Sequence, residues 1–150
     1  MTPAFRLQTV AVILPPDFEA MQAEAHAEGY RFLDRLAADW EAGTTRFDRD
    51  GEALLAAWHN DALAGIGGIT LDPRVPGALR MRRFYVRPTF RRAGIGRGLV
   101  SALLDQARQL SKPVLVNAGT KVAPSFWEAL GFVADPDSAG HTHRFFSASR

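Results

Sequence analysis

One unit of this chain constrains its fold more than any other. A β-rich run at residues 79–86 leads into Arg87-Pro88-Thr89-Phe90-Arg91-Arg92-Ala93-Gly94-Ile95-Gly96-Arg97 and then into an amphipathic helix over residues 94–110. In that helix Ile95, Leu99, Ala102, Leu103, Ala107 and Leu110 fall on one side. A helix begins with backbone N–H groups that lack internal acceptors, and its dipole places partial positive charge there. Gly94 and Gly96 clear the approach to those groups, Gly98 suits close helix packing, and Arg91, Arg92 and Arg97 add charge-assisted donors around the same spot. The unit therefore predicts an anion cradle directly after a strand. It is not the phosphate loop of nucleotide hydrolases, because no Gly-Lys-Ser/Thr follows, and it lacks the spacing of the dinucleotide fingerprint.

The rest of the chain supplies elements on both sides of this unit. Residues 5–14 read as a first strand stopped by Pro15-Pro16. Asp17 is the expected N-cap of a helix from Phe18 to about Glu28, punctuated by Gly29. Phe32, Leu33, Leu36 and Trp40 mark a second helix ended by Gly43. Residues 52–58 and 63–71 form a predicted hairpin around His59-Asn60-Asp61-Ala62. Gly65, Gly67 and Gly68 in its second strand point to a bulge or a close backbone approach. Strands at 113–118, 132–133 and 142–146 and a short helix at 123–130 complete the order β-α-α-β-β-β-α-β-α-β-β. This is a mixed α/β layout in one domain spanning residues 1–150, without repeat, linker or low-complexity tract.

Composition narrows the function classes. Of the 18 basic residues 16 are arginine, with Lys112 and Lys121 the only lysines, yet the formal net charge is only +2. That balance argues against a nucleic-acid binder relying on summed phosphate attraction. Seven arginines nevertheless lie close together, at positions 80, 82, 83, 87, 91, 92 and 97. The absence of cysteine removes disulfides, thiolate metal sites and cysteine nucleophiles. The apolar run Val10-Ala11-Val12-Ile13-Leu14 is too short for a membrane span and lacks a cleavage site. The expectation is a cytoplasmic protein that engages no membrane, nucleic acid or metal.

A second motif lies about thirty residues beyond the cradle, at Phe126-Trp127-Glu128-Ala129-Leu130-Gly131-Phe132. Together with Arg91-Arg92-Ala93-Gly94-Ile95-Gly96, it resembles the signatures of the GNAT superfamily of N-acetyltransferases, Arg/Gln-x-x-Gly-x-Gly/Ala and a later aromatic followed by Gly-Phe. The element order matches over essentially the whole chain. The resemblance implies an α/β (α+β) domain with a mixed, mostly antiparallel central sheet, helices on both faces, and a splay between the fourth and fifth strands.

The resemblance also implies a chemistry. Acetyl-CoA would be the cosubstrate, its pantetheine arm paired with backbone groups of Phe84, Tyr85 and Val86. Its pyrophosphate would lie on Arg91, Arg92, Ala93, Gly94, Ile95, Gly96 and Arg97. A primary amine of a small molecule or peptide would attack the thioester directly, and a homodimer is one assembly such relatives commonly form. Where many relatives carry a tyrosine that protonates the leaving thiolate, this chain has Trp127, whose indole donates a hydrogen bond but releases no proton near neutral pH. Ser125 is a substitute donor, and Thr120 takes the place of a cofactor-contacting asparagine, with Asn117 three residues earlier.

No general base stands out among His59, Glu52, Asp72, His141 and His143, and Arg82 and Arg83 replace the glutamate common at that strand. Alternation places Arg82 and Arg83 on opposite faces, one toward the acceptor, which suits an amine bearing a carboxylate or phosphate. Tyr30, Phe32 and Trp40 read as core rather than as an acceptor pocket. The rival reading is a catalytically weak acyl-CoA-binding sensor or regulatory module, motivated by Trp127 and the missing glutamate. A structural interaction domain without cofactor is the third.

Overall fold

The computed structural model describes residues 5–118, 123–138 and 140–145. Seven strands form one sheet in the order β1-β2-β3-β4-β5-β7-β6. They are β1 (Arg6–Thr9), β2 (Ala53–His59), β3 (Ala62–Leu71), β4 (Leu79–Val86), β5 (Val114–Val116), β6 (Val133–Ala134) and β7 (His143–Phe145). The helices are α1 (Phe18–Ala27), α2 (Phe32–Ala42), α3 (Ile95–Leu110) and α4 (Ala123–Ala129). Every neighbouring pair is antiparallel except β4 and β5, which run parallel.

The two faces of the sheet are covered by different helices. Leu54, Ala56, Trp58, Leu63, Ile66 and Tyr85 pack against α1 and α2, which contribute Phe18, Met21, Leu33, Leu36 and Trp40. On the other face Ile69, Leu79, Met81, Val114 and Val116 pack against Val100, Leu103 and Ala107 of α3 and Trp127 of α4. The period-two alternation of β2 feeds both cores, since Ala53 belongs to the second and Leu54 to the first.

Several boundaries differ from the sequence reading for identifiable reasons. The first strand stops at Thr9, because its partner β2 begins at Ala53 and Thr9 is already opposite Leu55. Val12 and Ile13 lie beyond the pairing and are strongly exposed. Asp17 stands at the N-cap of α1 but makes no side-chain cap bond; it adopts a left-handed φ of 70°, which a short polar residue tolerates. The strand expected over 113–118 contracts to three residues. Leu110 is exposed rather than on the core side of α3.

The strand glycines prove decisive. Gly68 pairs with Arg82 and Ile66 with Tyr85, so Gly67 alone opposes both Arg83 and Phe84. This is a β-bulge, and Arg83 takes a left-handed φ of 65° within it. The Phe84 ring occupies the space of a Gly67 side chain, since a Cβ there would sit 2.5 Å from a ring carbon. Gly67→Ala is therefore expected to destabilise the fold by about 1–3 kcal/mol through overpacking, read as a lower denaturant midpoint at unchanged m-value.

The bulge also corrects the expectation that Arg82 and Arg83 point to opposite faces. Before it, Leu79 and Met81 face α3; after it, Phe84 faces that core while Tyr85 faces α1 and α2. Arg82 alternates with Met81 and so lies on the α1/α2 side, and Arg83 reaches Asp39 of α2. Both guanidinium groups share one face because the extra residue breaks the alternation.

Candidate active site

β4 and β5 pair only at Leu79–Val114 and Arg80–Leu115. Beyond Arg80, β4 continues for six residues while β5, whose opposite edge pairs with β7, ends at Val116. The strands therefore splay, and a cleft of about 510 Å³ opens between them. Its walls come from both faces of the sheet: Tyr30, Phe32 and Arg35 on one side, Asn117, Ala118 and Trp127 on the other, and the length of β4 between.

At the end of β4 the backbone turns through a short 3-10 segment at Pro88–Phe90 before reaching α3. Arg92 and Gly94 hold left-handed φ values of 67° and 82° on either side of Ala93. The first backbone bond of α3 runs from the Gly98 N–H to the Gly94 carbonyl at 2.9 Å. The N–H groups of Ile95, Gly96 and Arg97 consequently have no acceptor within the helix. Arg92, Ala93, Gly94 and Arg97 are exposed, and no heavy atom lies within 4 Å of where a Gly94 side chain would start. Gly98 serves packing, as its Cα lies under the Phe5 ring. An unobstructed, amide-rich turn thus faces solvent where an anion is expected.

This loop is tied to α1 by two ion pairs of matching spacing. Arg87 grips Glu24 through Nε and a terminal nitrogen at 2.8 and 3.0 Å, and Arg91 grips Glu28 at 2.6 and 3.0 Å. Arg91 also donates to the Val86 carbonyl at 2.9 Å and lies over the Tyr85 ring. The Tyr85 hydroxyl donates to Glu28. Burial raises the Tyr85 phenol well above its usual range, and the Glu28 carboxylate adds to the shift. Glu24 is held below its ordinary value of 4.5 by hydrogen bonds from Arg87, and Glu28 by those from Arg91 and then Tyr85.

Because both carboxyl values are lowered by folding, the stability they contribute is present above pH 4.5 and is lost as pH falls through the lowered values. Thermal unfolding of the wild type should accordingly weaken below that pH. A Glu24→Gln/Glu28→Gln protein should start lower and lose less over the same interval.

Trp127 is buried within an aromatic cluster. Its ring meets Phe84, Phe126 and Phe132 edge-on at centroid distances of 5.3, 5.1 and 5.1 Å. It lines the cleft as well as the core. Phe126 also reaches back to Gly96, where a Cβ would make ordinary contact at 3.4 Å, so α4 and the cradle are in touch.

The chain matches the family model of the acetyltransferase (GNAT) domain over residues 17–143. The chain belongs to the GNAT family. Its fold is shared with solved structures of low sequence identity. A proposed acetyltransferase from an Exiguobacterium species superposes with a TM-score of 0.84 at 22% identity, covering 95% of this chain and 93% of that one. A proposed GNAT-family acetyltransferase from Desulfovibrio desulfuricans gives 0.70 at 20%, covering 97% and 100%. The GNAT family N-acetyltransferase YhbS of Escherichia coli, solved in complex with CoA, gives 0.68 at 15%, covering 99% and 84%. No curated protein sequence matches the chain.

In this GNAT domain the cleft gathers Phe84, Tyr85, Val86, Arg91, Arg82, Arg83 and Trp127 from the sequence-derived set. Ile95 is buried behind the loop. Ser125 lies on the exposed side of α4 and does not line the cleft, and Thr120 falls outside the described residues. Tyr30 and Phe32, read as core, instead stand with Tyr85 as an aromatic wall of the cleft, at centroid distances of 5.3 to 6.3 Å. Trp40 is core, as expected.

None of the five considered bases lines the cleft. Glu52 accepts from the Leu71 N–H, Asp72 from the Arg74 and Val75 N–H groups, and His59 stacks near Phe90. His141 bonds Asp135 and Ser138, while His143 bonds Glu128 and Thr142. The residues that sequence reasoning missed are Glu24 and Glu28. Their signal was a shared i, i+4 spacing, Glu24/Glu28 against Arg87/Arg91, which matches only once α1 is known to cross the end of β4. Among the described residues no cluster of His, Asp and Glu could hold a metal, and no helix is long and apolar enough to cross a membrane.

Proposed function

We propose that this GNAT domain transfers an acetyl group from acetyl-CoA to a primary amine by direct attack on the thioester. The observation that carries the proposal is the splay itself, an opening through the sheet that ends at the amide-rich turn into α3. Bound acetyl-CoA supplies an activated acyl carbon. The N–H groups of residues 92–97 suit its pyrophosphate, and the edge of β4 at Phe84, Tyr85 and Val86 suits the amide-bearing arm as a further strand would. The amine would enter past Tyr30 and Phe32, its lone pair forming the C–N bond while the C–S bond breaks and the electron pair leaves on sulfur. A β4 amide near Tyr85 or Val86 would donate to the oxygen as negative charge develops there.

Proton transfers fall largely to water, because among the described residues no Asp, Glu or His lines the cleft and the Trp127 indole releases no proton. Both features lower the expected rate without changing the reaction type. The second reading, an acyl-CoA-binding module with little turnover, is favoured by the same Trp127, locked edge-on among three rings. A thiol-release assay with acetyl-CoA over a panel of primary amines separates them. Amine-dependent release of CoA supports transfer. Saturable acetyl-CoA binding with no release on any amine supports the binding module.

A further inference from the structure

The two ends of the cleft differ in charge, and the difference has a structural origin. Near the cradle, Arg87 and Arg91 are neutralised by Glu24 and Glu28. At the far end Arg35 of α2 and Arg80, Arg82 and Arg83 of β4 all line the cleft, and among the described residues no aspartate or glutamate does. Arg80 and Arg82 share this face by strand alternation, and the bulge at Gly67 adds Arg83, which would otherwise point to the other face. Arg83 has one long contact, to Asp39 at 3.5 Å. Among the described residues Arg35, Arg80 and Arg82 have no carboxylate within ion-pair distance.

Holding these groups together works against their charge. Burial and the neighbouring Arg82 push the Arg83 guanidinium down to about 10, and burial with Arg80 nearby lowers Arg82. Asp39, Glu52 and Asp72 offset part of this effect on Arg82 without bonding it, and an anion in direct contact would stabilise the cluster further. The anion cannot be the one expected at the cradle. Arg82 lies four residues before the end of β4, on the order of 10 Å away at about 3.3 Å per residue.

We propose that the acceptor amine carries a dianionic end, a phosphate monoester or a pair of carboxylates, held by Arg35, Arg80 and Arg82 while the amine reaches into the splay. The inference rests on the acyl-transfer reading above and names its substrate class. Three guanidinium forks with no bonded carboxylate exceed what one carboxylate satisfies, and their planar donors suit phosphate and carboxylate alike. Arg83 and Asp39 act as positioning residues, fixing the bulge against α2.

The experiment compares O-phosphoethanolamine and aspartate with β-alanine and ethanolamine as acceptors in the thiol-release assay. In parallel, inorganic phosphate and malonate are titrated with CoA saturating. A dianionic amine should exceed ethanolamine in kcat/KM by roughly a hundredfold, as two charge-assisted bonds permit. Phosphate or malonate should inhibit competitively against the amine and not against acetyl-CoA. Arg82→Gln should raise the KM for the dianionic amine at least tenfold and leave that for acetyl-CoA unchanged. Arg35→Gln, on an exposed helix position, should do the same if Arg82→Gln fails to fold. A preference for phosphate over dicarboxylate, or the reverse, identifies which dianion is meant. Equal or better use of ethanolamine, with no binding of either free anion, overturns the proposal. Failure of CoA to bind at all would instead remove the acyl-transfer reading, while anion binding at Arg82 would remain measurable by itself.

Discussion

Gly96→Glu is expected to leave the protein folded and to lower its affinity for acetyl-CoA by roughly a hundredfold. Gly96 lies in the first turn of α3, where a Cβ meets the Phe126 ring at 3.4 Å, an ordinary contact. A glutamate there complements the helix dipole and replaces a poor helix former, so the fold should be no less stable. The same carboxylate occupies the amides of the first turn and repels a pyrophosphate. Each charge-assisted hydrogen bond lost is worth about 1.5–3 kcal/mol, and two such losses amount to roughly a hundredfold or more in Kd. Calorimetric titration with acetyl-CoA and a denaturant curve, run on the same preparation, check both halves. Loss of affinity together with loss of stability would mean that the turn is structural and not a binding element.

Trp127 provides the second large effect, in two variants that separate packing from chemistry. Trp127→Ala removes a buried ring that touches Phe84, Phe126 and Phe132, and should cost about 3–5 kcal/mol of stability. Trp127→Tyr keeps an aromatic ring in that cluster and adds a phenolic O–H at the wall of the cleft. General acid catalysis is worth roughly a hundredfold or more when well placed. The tyrosine variant is therefore expected to raise kcat by at least tenfold, with acetyl-CoA affinity unchanged. An unchanged kcat would show that thiolate protonation does not limit this enzyme. A fall in kcat, with stability intact, would make the indole itself the functional donor.

Most of the fold was legible because its signals are local. The Asn60-Asp61 turn, the glycine after α2 and the apolar spacing of α3 depend on a few residues each, and β4 and the start of α3 emerge where the sequence places them. The exposed turn into α3 was legible for the same reason, since its glycines and arginines are contiguous.

Features requiring two distant segments were not. Gly67 announces a bulge, but which β4 residue becomes the extra one depends on register with β3. That register decides whether Arg82 and Arg83 part or converge. The ion pairs Arg87–Glu24 and Arg91–Glu28 join residues 63 positions apart, and Tyr30 and Phe32 become cleft walls only because α1 and α2 meet above the splay. The shortening of β1 has the same origin, since an alternating apolar run cannot declare where its partner begins.

If the splay between β4 and β5 and the amides of the turn into α3 form an acetyl-CoA site, the ligand must stabilise the fold. Thermal unfolding of the wild-type protein with and without acetyl-CoA at a hundredfold excess over Kd tests it most directly. Ligand linkage predicts a stabilisation of about 2.7 kcal/mol, a rise in Tm of roughly 5–10 °C for a domain of this size, largely abolished in Gly96→Glu. An unchanged Tm at millimolar acetyl-CoA, or an equal rise in wild type and Gly96→Glu, would mean that acetyl-CoA does not bind at this turn.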